Sequence, residues 1–360
     1  MTEPGLNIGI VGAGGFARFA LAAFMDVPGI RPVAVTDIDP VAAGNMGQAL
    51  GIAVYPDLAA LLAEDHIDLV YIATPPDQHY AQSRQSLLAG KHVICEKPAA
   101  LRTAEALELA AIARAGQILY AVNLMQRYNP LFGSVKKMME GKLLGNFLHG
   151  YFENYASDEF LKADHWFWDQ SKSGGIFIEH GVHFFDLFEG WLGEGRVVNA
   201  LEMRRPRAAA ITDRVQATVL YEEGSVNYYH GFDQPKVLDR QEMRLQFGRG
   251  EITLHGWVPV SIQVHGLFRT GDITALKYIM KDFSEMQVTD HGEEAGNHHL
   301  TIRYENRSGK QELYRQMLSE MIRDQWNWIR DRRHRRVMDD LNAIRSLSVA
   351  EQATQMAQKF

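Results

Sequence analysis

The chain carries one cysteine in 360 residues. No intrachain disulfide can form, which excludes a stapled secreted scaffold. That residue, Cys95, closes the apolar stretch Lys91-His-Val-Ile-Cys95 and reads as an inert, packed thiol. No apolar run approaches the roughly 20 residues of a membrane-spanning helix, and the N-terminal segment shows no charged-then-apolar leader. The expected compartment is the cytoplasm, with no membrane partner. Positive charge is not in excess: 37 Lys and Arg against 44 Asp and Glu leave a net charge of −7. That balance gives no electrostatic case for nucleic-acid or membrane-surface binding. Internal repeats and low-complexity segments are also missing. What remains is an ordinary globular composition, 46% hydrophobic and 22% charged, on a chain long enough for two domains.

Against this plain background, Asn7-Ile-Gly-Ile-Val-Gly-Ala-Gly-Gly-Phe-Ala17 stands out. It reads as a short apolar strand, a glycine turn and the start of a helix. Gly12-x-Gly14-x-x-Ala17 is the Ala-ending form of the dinucleotide fingerprint. Gly12 permits the sharp turn, Gly14 lets the backbone approach a pyrophosphate, and Ala17 lets helix and strand pack closely. The helix N-terminus then offers unpaired N–H groups to phosphate oxygens. A second strand, Pro32-Val-Ala-Val-Thr36, ends at Asp37, 25 residues beyond Gly12. A carboxylate there accepts hydrogen bonds from both adenosine ribose hydroxyls and repels a 2′-phosphate. Ile38 follows it, not the arginine a 2′-phosphate would favour. NAD is therefore expected as cofactor, and NADP less so. Asp39-Pro40 reads as a helix N-cap with proline at the first helical position.

The first third alternates strand and helix. Strands are expected at about 6–11, 32–36, 68–73, 92–95 and 118–122, with helices such as Asp77 to Ala89 and Thr103 to Ala115 between them. This alternation predicts βαβ units and a doubly wound parallel sheet. From about residue 145 the strand-like runs follow one another directly: Phe147 to Tyr155, Val197 to Arg204, Val215 to Tyr221, Val226 to Phe232, Met243 to Phe247 and Val260 to Val264. They predict a large, mainly antiparallel sheet. A helix over Leu313 to Arg330, a basic stretch over Arg330 to Arg336 and a final amphipathic helix over about Leu341 to Lys359 complete the chain. The expected architecture is α/β: an N-terminal Rossmann domain over 1–123 and a C-terminal α+β domain over 124–360.

Three further constellations carry chemistry. Ala73-Thr-Pro-Pro-Asp-Gln-His79 follows an apolar strand, and its two prolines stiffen a loop at the carboxyl end of the sheet, where open α/β sheets bind ligands. The competing reading is a rigid turn capped by Asp77. Cys95-Glu-Lys-Pro98 follows the next strand, where Lys97 can reach a bound substrate. Alone, Glu-Lys-Pro also reads as a solvated turn. Third, Ser173-Gly-Gly-Ile-Phe-Ile-Glu-His-Gly-Val-His-Phe-Phe-Asp186 places Glu179 and His183 four apart, with Asp186 three beyond, on one helix face. Such a face presents an acid–base histidine with carboxylates to orient it. His180 falls on another face. Zinc ligation by the same residues lacks a cysteine cluster and a further ligand, so no metal is expected.

Gly12-Ala-Gly-Gly-Phe-Ala17, Ala73-Thr-Pro-Pro, Glu96-Lys-Pro98, and Gly174-Gly175 followed by Glu179-His-Gly-Val-His183 together resemble the Gfo/Idh/MocA family, the glucose–fructose oxidoreductase and inositol dehydrogenase relatives. The resemblance implies that Lys97 and His183 are catalytic. It also implies that the acidic residue four before the histidine, usually Asp and here Glu179, contacts substrate. It assigns the cofactor to Gly12, Gly14, Gly15, Phe16, Ala17, Asp37, Thr74, Pro75, His79, Glu96 and Lys97. Asn123-Leu-Met-Gln-Arg-Tyr-Asn-Pro130 is similar to a family segment between the domains, which implies that Asn123, Arg127 and Tyr128 lie near cofactor or substrate; a salt bridge at the domain junction is the competing reading for Arg127, and His180 is a further substrate candidate. The implied reaction is NAD-dependent oxidation of a secondary alcohol on a sugar, inositol or related polyol. His183 would take the hydroxyl proton, and Lys97 would stabilise charge on the same oxygen. A homodimer or homotetramer formed through the open sheet face is implied as well. An NAD-dependent glycosidase and a non-catalytic nucleotide-sensing regulator are the alternatives.

Overall fold

The computed structural model describes residues 5–159, 161–205 and 208–360. The chain forms two compact units. One comprises Met1–Tyr128, Asp169–Gly174 and Tyr314–Glu351; the other comprises Asn129–Trp168, Gly175–Leu313 and Gln352–Phe360.

The first unit is built on six parallel strands: β1 (Leu6–Val11), β2 (Ile30–Thr36), β3 (Ala53–Val54), β4 (Leu69–Ile72), β5 (His92–Cys95) and β6 (Tyr120–Val122). Their spatial order is β3-β2-β1-β4-β5-β6. The order reverses between β1 and β4, and in such sheets that switch point opens a crevice at the carboxyl ends of the strands. The strands are nearly continuous apolar runs because both faces are covered: Ile8, Ile10, Val70, Tyr71, Val93 and Ile94 are all fully buried. The helix Pro40–Leu50 starts as the sequence requires, with the Asp39 carboxylate accepting from Val41 N at 2.9 Å and Pro40 at its first position. β2 begins at Ile30, earlier than the expected Pro32, and Pro32 coincides with a register shift against β1. Proline has no N–H to give the ladder, so the irregularity falls there.

The helix Gly309–Arg330 carries its residues from Tyr314 onward in this unit, as does Asp340–Met356 up to Glu351. Arg315 pairs with Asp26 through two bonds of 2.6 and 2.7 Å, Ser319 Oγ donates to Ala23 O at 2.8 Å, and Thr103 N donates to Glu351 at 2.9 Å. Trp326 lies so close to Gly29 that a Cβ there would come within 2.5 Å of its ring. With φ at +93°, only glycine suits that position.

Among the described residues the second unit holds ten strands: β7 (Phe147–Tyr155), β8 (Arg196–Arg205), β9 (Ala208–Leu220), β10 (Ser225–Gly231), β11 (Arg240–Phe247), β12 (Gly250–His255), β13 (Ser261–Phe268), β14 (Gln287–Glu294), β15 (Asn297–Glu305) and β16 (Gln358–Lys359). They are ordered β14-β15-β13-β12-β11-β7-β10-β9-β8-β16. All pairs are antiparallel except β7 with β10 and β8 with β16. Alternate residues face a helix, Val182–Leu192, whose Phe184, Phe185 and Phe188 are fully buried. Phe184 stacks on Phe152 of β7 at 3.6 Å, while Phe185 and Phe188 meet Tyr228 of β10 edge-on. Each such ring contributes about 1.5–3 kcal/mol on burial, so the helix is held firmly on the sheet.

Three expectations are corrected. The final helix ends at Met356, and Gln358–Lys359 forms β16 on the edge of the sheet. Phe360 N donates to Glu202 O at 2.9 Å and Arg204 N to Phe360 O at 3.0 Å, so the β8 backbone captures the chain end. β14 and β15 were not anticipated, because β14 is exposed throughout and shows no apolar alternation. The segment expected as one α-helix through Glu179 and His183 is π-helical over Phe177–Gly181 and becomes α-helical at Val182.

Candidate active site

In the first unit the glycine turn follows β1. Gly12 adopts φ +98°, and a Cβ there would meet Ala73 O at 2.6 Å. Gly12 is thus required by the close approach of the β4 loop. Gly14 and Gly15 differ, because a Cβ on either would meet nothing within 4 Å. The space above the turn is open, and the helix Gly15–Phe24 starts from Gly14 with no side-chain cap. Open space over uncapped N–H groups fits a pyrophosphate. Asp37 ties the end of β2 to this turn: one carboxylate oxygen accepts from Ala13 N at 2.6 Å and the other from Asp39 N at 2.8 Å. A carboxylate has about four acceptor positions, so capacity for ribose hydroxyls remains. Ala17 is fully buried, and Phe16 joins Phe19 and Tyr314 in an aromatic cluster.

At the carboxyl ends of β4, β5 and β6 the side chains converge on Glu96. Tyr71 O–H donates to its carboxylate at 2.6 Å and Asn123 Nδ2 at 2.8 Å. Burial pushes Glu96 up to about 7, against the opposing pull of these two donors and of Lys97. Lys97 itself follows Glu96 and precedes Pro98 through a cis peptide bond. Thr74 Oγ1 donates to Gln82 at 2.6 Å, and Pro75 caps the helix Pro76–Leu88. His79 is buried, with Nδ1 2.7 Å from Pro98 O and Nε2 2.8 Å from Thr74 O. The ring thus sits between the Ala73-Thr-Pro-Pro loop and the Glu-Lys-Pro loop; in its neutral form one nitrogen donates to one of these carbonyls, and only the protonated ring donates to both. Burial lowers the His79 pKa, while both carbonyls oppose that shift.

Arg127 and Tyr128 lie on the 3₁₀ turn Met125–Tyr128. The Tyr128 hydroxyl donates to Asp324 at 2.6 Å, so it serves the packing of this unit. His334 bonds the other Asp324 oxygen at 2.7 Å.

Gly174, the last residue of a first-unit segment, and Gly175, where the second unit resumes, carry positive φ of 77° and 90° and lead into the π-helical turn. Glu179 and His180 sit on that turn; His183 and Asp186 sit on the α-helix after it, both buried. π-Turns are rare and concentrate at functional sites. His180 Nδ1 lies 3.0 Å from Nδ1 of His230, and its Nε2 accepts from Trp257 Nε1 at 3.1 Å. Trp257 also meets the His183 ring edge-on, centroids 4.9 Å apart. His230 is driven down to about 3 by burial.

The structure thus gathers Glu96, Lys97, Asn123, Thr74 and His79 in one unit, and Glu179, His180 and His183 in the other. Tyr71, Tyr314, His230 and Trp257 were not singled out from sequence. They carry no motif spacing, and only the fold brings them to these groups. Among the described residues no cluster of three or more His, Cys, Asp or Glu could hold a metal ion, and no helix is long and apolar enough to cross a membrane.

Residues 6–124 match the family model described as "Oxidoreductase family, NAD-binding Rossmann fold", and residues 132–252 match "GFO/IDH/MocA C-terminal domain". Inositol 2-dehydrogenase from Rubrobacter xylanophilus is 34% identical over 39% of this chain and 41% of its own length. D-apiose dehydrogenase from Paraburkholderia graminis is 27% identical over 59% and 54%. An uncharacterized oxidoreductase from Synechocystis is 28% identical over 53% and 52%. The chain therefore spans about half the length of the curated relatives it matches. Among solved structures, KijD10, a 3-ketoreductase from Actinomadura kijaniata in complex with NADP and TDP-benzene, aligns over 99% of both chains with TM-score 0.78 at 18% identity. GenD2 from gentamicin A biosynthesis, in complex with NAD, aligns over 99% of this chain and 95% of its own with TM-score 0.78 at 19% identity.

Proposed function

The chain belongs to the Gfo/Idh/MocA oxidoreductase family, and on that premise we propose that it transfers hydride between NAD and a secondary alcohol of a sugar, inositol or related polyol. One observation carries the reading. In a single unit, the open glycine turn after β1 and the Glu96-Lys97 pair after β5 both stand at the carboxyl ends of a Rossmann sheet, where a dinucleotide belongs.

Gly12, Gly14, Gly15 and the helix start would hold the pyrophosphate, and Asp37 the adenosine ribose. The nicotinamide, when bound, supplies the hydride chemistry. The chain's own groups supply orientation and proton handling. Glu96, neutral or ionised near pH 7, holds its place through Tyr71 and Asn123 and sets the electrostatics around Lys97. Lys97 is the group proposed to stabilise negative charge on the reacting oxygen. His183 is proposed as the acid–base group, held on a helix anchored by its phenylalanines. Glu179 is proposed to bind a neighbouring substrate hydroxyl.

The test is a screen of sugars, inositols and polyols with NAD, and of their ketones with NADH, following NADH absorbance near ~340 nm. Stoichiometric NADH formation or consumption with one of them supports the proposal. Glycoside cleavage with no net change in NADH identifies the glycosidase alternative, and nucleotide binding with no turnover across the screen identifies the regulator.

A further inference from the structure

The basic stretch Arg330 to Arg336 lies outside the groups proposed for hydride transfer, and the structure shows that its charges are not equivalent. Arg333 folds back on Asp331 through two bonds of 3.0 Å, and His334 bonds Asp324 at 2.7 Å. Those two positions are locally neutralised. Arg332 and Arg336, four residues apart, instead converge on one indole, with their guanidinium carbons 3.8 and 4.6 Å from the centre of the Trp328 ring.

These three residues line a cavity of about 400 Å³ within the first unit. Arg114, Asp340 and Tyr120 line it too. Its charges do not balance. Asp340 bonds Arg114 at 2.9 Å and lies 3.8 Å from Arg336. Arg332 has no carboxylate partner among the described residues; its one hydrogen bond goes to Gln117 O at 3.0 Å. Burial and the like charge of Arg336 both lower the Arg332 pKa. Three guanidinium groups thus share this concave wall with one lining carboxylate, while Asp339 and Asp324 act on Arg336 from outside the lining, so the unmatched charge is that of Arg332. One further group is unsatisfied: the Tyr120 hydroxyl is buried with no hydrogen-bond partner. A buried hydroxyl left unpaired costs about 1–3 kcal/mol.

We propose that this cavity binds a small organic phosphate monoester, of the sugar-phosphate class. The unmatched Arg332 guanidinium beside that of Arg336 gives the three terminal oxygens of a phosphate more donors to meet than a single carboxylate can use. The planar Arg332 guanidinium, held over the indole, presents N–H donors for phosphate contact, while Arg336 also donates to Gln325 Oε1 at 3.2 Å and Tyr120 O at 3.4 Å. The cavity is much larger than a bare phosphate, and Ala113, Ile118 and the Trp328 ring give the rest of the ligand an apolar wall. The site lies on the helix Thr103–Ala115 and β6, apart from the glycine turn after β1, so it is distinct from the dinucleotide cradle.

Calorimetric titration of the full chain with glucose 6-phosphate, inorganic phosphate, citrate and glucose tests the proposal. Glucose 6-phosphate should bind most tightly, inorganic phosphate more weakly, and glucose not at all. Arg332 is exposed, so Arg332→Gln leaves the fold intact and should weaken glucose 6-phosphate binding about 10- to 100-fold. Absence of binding at about 10 mM glucose 6-phosphate overturns the proposal. So does binding that survives Arg332→Gln, since it then belongs to the dinucleotide cradle or elsewhere. Tighter binding of citrate replaces the phosphate class with a polycarboxylate and equally overturns it. A change of oligomeric state in Arg332→Gln with phosphate binding unchanged assigns the arginines to a chain–chain contact instead. None of these readouts depends on hydride transfer.

Discussion

The indole N–H of Trp257 donates to Nε2 of His180 at 3.1 Å. An indole nitrogen can only donate, so Nε2 of His180 must be the acceptor. In the neutral ring the proton then sits on Nδ1, which faces Nδ1 of His230 at 3.0 Å and donates to it. His230, kept neutral by burial, carries its own proton on Nε2. One donor on the turn between β12 and β13 thereby fixes the tautomers of two buried histidines. The same indole packs edge-on against His183.

Trp257→Phe keeps most of the packing and removes the donor. His180 should then lose its single tautomer, which ¹⁵N chemical shifts of the imidazole nitrogens read directly. If Trp257 positions His183, kcat should fall about tenfold with little change in nucleotide affinity, since the loss of one buried hydrogen bond is worth about 0.5–1.5 kcal/mol. Unchanged His180 shifts in the variant remove the tautomer argument. Unchanged kcat confines Trp257 to packing.

Lys97→Ala and His183→Ala should each reduce turnover far more than they reduce NAD affinity, because both groups are assigned to the reacting oxygen and not to the pyrophosphate. Loss of an acid–base group commonly costs about 10²–10⁴-fold in rate. Turnover numbers and nucleotide dissociation constants measured side by side decide it. Near wild-type turnover in either variant withdraws that residue from the site.

The Rossmann half was legible because its signals are local. A glycine turn, a strand and an N-cap each occupy a few consecutive residues, and Asp39-Pro40 behaves in the structure as its sequence states. What escaped depends on distant residues. Tyr71 and Asn123 meet Glu96 only because β4, β5 and β6 lie side by side, with no spacing to announce it. Trp257 and His230 reach His180 from 77 and 50 residues away. The π-turn at Phe177–Gly181 was read as α-helix because a single added residue per turn leaves the apolar pattern almost unchanged. β14, polar and exposed along its length, gave periodicity nothing to detect.

The proposed preference for NAD rests on Asp37. Its carboxylate is pinned between Ala13 N and Asp39 N, so it cannot swing away from a 2′-phosphate. NAD should bind more tightly than NADP by about 1–3 kcal/mol. Asp37→Ser with Ile38→Arg should reverse or erase the preference; Ile38 is fully exposed, so an arginine there costs little. Fluorescence titration with NADH and NADPH measures it, and equal affinities in the parent protein refute the assignment.

Glu179 lies on the π-helical turn, four residues before His183, and is proposed to meet a substrate hydroxyl where the family resemblance implies an aspartate. Its extra methylene moves the carboxylate by roughly one bond length, enough to break a hydrogen bond to a substrate hydroxyl. Glu179→Asp should raise KM for the substrate or lower kcat, and Glu179→Gln should show whether charge matters. Unaltered kinetics with altered thermal stability would reduce Glu179 to a brace for the turn.

Glu96 makes a pH-dependent prediction whose sign follows from its environment. Burial raises its pKa from the ordinary 4.5 to about 7. As pH rises past 4.5 the unfolded chain releases this proton while the native protein keeps it, so the unfolded state gains. Stability from this group is therefore complete below pH 4.5, declines between 4.5 and about 7, and is flat above. The slope is at most about 1.4 kcal/mol per pH unit. Glu96→Gln keeps a carbonyl oxygen for Tyr71 and Asn123 and cannot ionise. Its stability relative to the parent should therefore climb across that window and level off above pH 7. Urea unfolding of both proteins at intervals from pH 4.5 to 8 measures the difference. Parallel curves would mean that Glu96 ionises in the folded protein as readily as in the unfolded chain. Its link to Lys97 would then be that of an ordinary ion pair, and the pH dependence of turnover would have to come from His183.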